Sequence, residues 1–104
     1  MSQHNLPKHY QKLIQDYPDY MQAVKQLGEL ANKQGPIQAK TAHLIQLAAA
    51  VAQASEGAVH SHARRALEAG ASPEEVRHAV ILLTSTVGFP QVSAALSWVE
   101  DVLS

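Results

Sequence analysis

Residues 42–54 read A-H-L-I-Q-L-A-A-A-V-A-Q-A. Their only polar members, His43, Gln46 and Gln53, fall on one narrow stripe when the segment is wound as a helix. A helix that is apolar nearly all round has to be buried nearly all round. A second segment, A-V-I-L-L-T-S-T-V from Ala79, has the same character. A chain of 104 residues forms one small domain and can surround about one such helix. Two of them predict that subunits share the burial, so the expected state is a homo-oligomer. Alanine tolerates water, but Ile45, Leu47, Ile81 and Leu82 are large enough to require cover.

The rest of the chain carries the same period. Leu6, Tyr10, Leu13, Ile14 and Tyr17 mark one face of a first helix, with Pro7 in its opening turn. Met21, Val24, Leu27 and Ala31 mark a second, restarted at Pro18 and closed by Gln34-Gly35-Pro36. The third runs from about Ile37 to Ala54. Ser55 caps a fourth, about Glu56 to Ala69, which Gly70 ends. Ser72-Pro73-Glu74-Glu75 is a capping box with proline at the first helical position, and it opens a fifth helix expected to reach Val87. Gly88-Phe89-Pro90 turns the chain into a sixth, about Gln91 to Leu103. No segment alternates as a strand does. The fold class expected is all-α, about six helices in a single domain over residues 1–104. Within it, 1–35 is an N-terminal helical pair and 36–104 is the core.

Lysine plus arginine number 8 against 9 acids, a formal net charge of −1. That is not the basic excess of a nucleic-acid binder, and no basic run seeks anionic lipid. The longest apolar run, Leu47 to Ala52, is far below the roughly 20 residues of a membrane span. MSQHNLPKHY has no apolar stretch of signal-peptide type, so a cytoplasmic location is expected. There is no cysteine, which removes disulfides, iron–sulfur clusters and thiol chemistry in cis.

The fourth helix concentrates the candidate chemistry. Ser55, Ala58, Val59, His62, Ala66 and Ala69 lie along one side, so His62 sits on the packed side among small residues. Glu56, His60 and Arg64 form an i, i+4 ladder on another. His60 and His62 point about 200° apart and cannot share one metal as an i, i+4 pair does. A zinc site from His43, His60 and His62 across subunits lacks carboxylate or cysteine support, so no metal and no cofactor are expected. His43 lies on the polar stripe of the third helix. It can face the same pocket as His62, where the two rings would titrate near neutrality and pass protons. Arg64 and Arg65 read as a solvated face that can also bind a carboxylate. Trp98 lies off the apolar stripe of the last helix and reads as an interface residue.

S-E-G-A-V-H-S-H-A-R-R-A-L-E-A-G-A-S-P-E-E-V resembles the signature region of the carboxymuconolactone decarboxylase and alkylhydroperoxidase-D-like superfamily. Many members read C-x-x-C-x-x-x-H, then an alanine-rich helix and G-A-S/T-x-E-E. His62 takes the place of the signature histidine, Gly70-Ala71-Ser72 follows at the same interval, and Gly88-Phe89-Pro90 matches a later G-x-P turn. Lys40, ahead of an apolar helix, also fits. The resemblance covers about Pro36 to Leu103 and implies an alkylhydroperoxidase-D-like bundle, trimeric or hexameric.

The departures redirect the chemistry. The two cysteine positions hold Ser55 and Ala58, and the proton-relaying glutamate of thiol members falls at His43. The family's thiol peroxidase route is therefore closed. The decarboxylase branch does without the cysteines and keeps a glutamate six residues before the histidine, which Glu56 matches; its second histidine falls at Leu82. The resemblance implies an acid–base lyase acting on a small carboxylated lactone or oxo acid. His62, Glu56 and His43 would be catalytic, and Lys40, His60 and Ser55 would bind an acidic substrate. Each has a plainer reading: a satisfied core histidine, a helix-dipole acid, a surface lysine. The alternative for the whole chain is a non-catalytic oligomer that binds a small ligand or partner on the retained fold.

Overall fold

A computed structural model describes residues 7–103. Leu6, expected on the first helix, lies outside them. Seven helices follow in order: α1 Lys8–Asp16, α2 Pro18–Asn32, α3 Ala39–Ala52, α4 Glu56–Glu68, α5 Pro73–Ile81, α6 Thr84–Val87 and α7 Phe89–Leu103. No strand occurs among the described residues, and none of their helices is long and apolar enough to cross a membrane. The chain divides into two compact units, Met1–Pro36 and Ile37–Ser104. In the first, α1 and α2 pack together, with Pro18 at the start of α2, where its missing N–H costs no helical bond.

The second unit carries the core. Leu47, Ala50 and Val51 of α3, Val59, Ala63 and Ala66 of α4, Val76 and Val80 of α5, and Val92, Ala95 and Val99 of α7 are buried together. Alanine and valine dominate because α3 and α4 make the most extensive packing in the unit, and short side chains let two helix axes approach closely. Trp98 is partly buried, packed against this core.

The turns are held by their own hydrogen bonds. Gly70, at φ +104°, reverses the chain after α4, and the Ala71 N–H reaches back to the Ala66 carbonyl at 2.9 Å. Ala54 plays the same part after α3 at φ +54°, with the Ser55 N–H on the Ala50 carbonyl at 3.1 Å. The capping box of α5 is complete: Glu75 N–H donates to Ser72 Oγ at 3.0 Å, and Ser72 N–H donates to Glu75 Oε1 at 2.9 Å. From the first turn of α7, Gln91 Nε2 donates to the Val51 and Ala52 carbonyls at 2.7 and 2.8 Å, closing the orphan C-terminus of α3.

The fifth helix is shorter than its period predicts. It stops at Ile81, and α6 begins at Thr84. Thr84 Oγ1 donates to the Ile81 carbonyl at 2.7 Å, competing for the oxygen that the next helical N–H would use. The Thr84-Ser85-Thr86 run favours such side-chain bonds over an unbroken helix. Nor are the two apolar helices covered all round. Ile45 is 53% exposed, Ile81 49% and Leu82 63%, as is Phe89 at 65%.

Candidate functional site

Where α3 packs on α4, the rings of His43 and His62 come together, centroids 6.0 Å apart and planes 33° apart. Both residues are partly buried. His62 stands at the edge of the packed face rather than in it. The centre of that face is the i, i+4, i+7 line Val59, Ala63, Ala66, about 65° around the helix from His62. Each ring has its Nδ1 shut away from solvent without a hydrogen-bond partner, an arrangement native proteins keep rare.

Burial pushes the pKa of His43 below the ordinary 6.5, and the positive charge of Arg65 adds to it. A side-chain hydrogen bond with Gln46 and the charge of Glu68 oppose the shift. His62 is lowered too, by burial first, then by Arg65 and by His43 itself. The site is thus two imidazoles held toward their neutral forms beside a guanidinium. One proton placed on the pair discourages a second.

The stability consequence has a definite sign. In the folded chain His43 resists protonation, whereas in the unfolded chain it takes a proton near 6.5. Below that value the unfolded state binds more protons, so stability falls as pH drops from about 6.5 toward the lower folded value and is unaffected above it. The groups around His43 are Gln46 on α3 and His62, Arg65 and Glu68 on α4. Comparing urea midpoints near pH 7.5 and pH 5.5 should show wild type losing more than His43→Gln. Equal losses in the two proteins would contradict the burial argument.

The other candidate residues are engaged elsewhere. Lys40 Nζ lies 3.2 Å from Glu75 Oε2, bridging the start of α3 to the capping box of α5. The Glu75 carboxyl is held below its usual range by the Ser72 backbone bond, then by Lys40. Ser55 Oγ is the N-cap of α4, accepting a long 3.4 Å bond from the Ala58 N–H. His60 Nε2 faces Asp101 Oδ2 of α7 at 3.0 Å, and Glu56 lies with them. The structure therefore pairs His43 with His62, and Glu56 with His60.

The sequence already places Gln46 on the stripe of His43, while two other contributors to these groupings went unnoticed. Arg65 stands three residues beyond His62, a helical spacing that could have suggested it. Asp101 lies 41 residues from His60, and no local pattern announces it.

The sequence matches the model of the carboxymuconolactone decarboxylase family over residues 18–101. No curated protein matches it. Among solved structures it resembles apo-lpg0406, a carboxymuconolactone decarboxylase family protein from Legionella pneumophila, at 26% identity and a TM-score of 0.77. That match covers 92% of this chain and 88% of that one. A family match spanning most of the sequence, together with the same helical fold in a family member, establishes that the chain belongs to the carboxymuconolactone decarboxylase family, as a member without cysteine.

Proposed function

We propose that the chain is an acid–base lyase that removes carbon dioxide from a small carboxylated lactone or related oxo acid. The observation that carries this reading is the His43–His62 pair, two partly buried rings 6.0 Å apart with unpartnered Nδ1 atoms. In such a reaction the bond to the carboxylate carbon breaks and carbon dioxide leaves. The electron pair passes into an enolate, and a proton is then delivered to carbon. An imidazolium of the pair donates that proton and is recharged from solvent through the second ring. Arg65 supplies positive charge where the substrate carboxylate and the developing enolate carry negative charge. Lowered pKa values make each imidazolium a stronger acid than free histidine, which suits protonation of a carbon.

The direct test is turnover of a panel of carboxylated butenolides and 3-oxo acids, followed by carbon dioxide release. Wild type is expected to turn over at least one. Silence across the panel, with no ligand-induced rise in Tm, would overturn the reading. Silence with a rise in Tm would favour the second reading, a non-catalytic oligomer that binds small acids. That reading draws support from Ser55 and Ala58 standing where relatives carry thiols, and from the engagement of Lys40 by Glu75.

A homo-oligomer belongs to either reading. Its support is the exposure of Ile45, Ile81, Leu82 and Phe89 in the second unit, side chains large enough to anchor an interface. Light scattering at micromolar concentration should return a multiple of the 11.2 kDa chain mass, and Leu82→Glu should lower it. A monomeric mass for wild type would remove the proposal.

A further inference from the structure

Glu56, His60 and Asp101 form the one group of three potential metal donors among the described residues, and their ligand atoms all lie within 4.8 Å of one another. The fold builds this group from two helices. Glu56 and His60 stand one turn apart at the start of α4, and Asp101 comes from the last turn of α7, which packs on α4. His60 Nε2 already meets Asp101 Oδ2 at 3.0 Å. We propose that Glu56, His60 and Asp101 bind a divalent transition-metal ion, on the other side of α4 from the His43–His62 pair.

Charge supports the assignment. Two carboxylates drawn to within 4.8 Å of each other carry two negative charges, and one imidazole balances at most one. A divalent cation balances both. Glu56 stands in the first turn of α4, where the helix N-terminus is a favourable place for a carboxylate.

Geometry supports it as well. Donors bound to one such ion at about 2.1 Å stand roughly 3.0–3.5 Å apart. His60 and Asp101 are there already. Glu56 and Asp101 are both exposed, so rotation of their side chains can supply the remaining ångström or so. Chemistry then narrows the ion. One imidazole nitrogen with two carboxylate oxygens suits zinc, nickel, cobalt or manganese. It does not suit calcium or magnesium, which favour all-oxygen shells, nor copper(I), which favours sulfur. Three protein donors leave at least one position of a four-coordinate ion to water or to a ligand group.

The inference does not rest on the lyase reading, and its test needs no substrate. Calorimetric titration of the full chain with zinc chloride, repeated with magnesium chloride, should give one saturable zinc site per chain and no comparable magnesium site. His60→Ala and Asp101→Asn should each weaken zinc at least about tenfold and abolish the zinc-induced rise in Tm. The double variant His43→Gln/His62→Gln should bind zinc as wild type does. Absence of saturable zinc binding by wild type would overturn the proposal. So would zinc binding undiminished in both His60→Ala and Asp101→Asn, or binding lost only in the His43/His62 variant. Since Asp101 is exposed and asparagine keeps its shape, circular dichroism of Asp101→Asn provides the check that loss of binding is not loss of fold.

Discussion

Leu47→Ala is expected to destabilise the second unit by about 3–5 kcal/mol, the upper part of the usual range for such a truncation. Leu47 is fully buried on α3, the helix that packs on α4, α5 and α7. It is also the largest fully buried side chain of the core, whose other members are valines and alanines. Those neighbours cannot fill the space it leaves. Valine is held to one χ1 rotamer in a helix, and alanine has no side-chain freedom at all. The cavity therefore persists and adds to the lost transfer energy. Set against the roughly 5–15 kcal/mol that holds a small domain folded, the change is a large fraction of the total. Urea denaturation of the two proteins measures it. A loss under about 1 kcal/mol would mean that the core collapses around the gap and is not packed as described.

For the proposed lyase activity, His62→Gln is expected to lower kcat/KM about 10²–10⁴-fold, the usual contribution of a positioned acid or base. Glutamine keeps polarity and bulk but cannot hold or deliver the proton. His43→Gln should cost a comparable factor, and the double variant little more than either alone. Groups that hand one proton between them act as a unit, and their deletions do not add. Additive losses would show that the two rings act separately. Wild-type turnover in either single variant would remove that ring from the chemistry. Because neither residue is fully buried, both variants should stay folded, so a loss of rate is not explained by a loss of protein.

Most of the helical layout was legible because helix signals are local. The Ser72–Glu75 capping box, Pro18 at the start of α2 and Gly70 after α4 each act within a few residues, and all lie where expected. The break between Ile81 and Thr84 was less legible. Apolar periodicity continues across it, while the Thr84 hydroxyl's bond to the Ile81 carbonyl interrupts the helix. For the candidate site, residue types could be read and partners could not. His43 and His62 stood out as histidines on neighbouring helices, and their facing each other at 6.0 Å depends on the rotation of α3 against α4. The partner of His60, Asp101, comes from the far end of the chain, beyond the reach of any local pattern.

By itself the sequence determined an all-helical chain, the boundaries set by its caps and glycines, the absence of thiol chemistry, and the family signature at His62 and Gly70–Ser72. Those properties follow from interactions spanning three or four residues and from covalent composition. Only the tertiary structure decided that His43 meets His62, that Lys40 is held by Glu75, and that Glu56 and His60 converge with Asp101. Such pairings depend on how small side chains let helices approach and which rotation about each axis buries the most apolar surface. That choice belongs to the core as a whole rather than to any one segment.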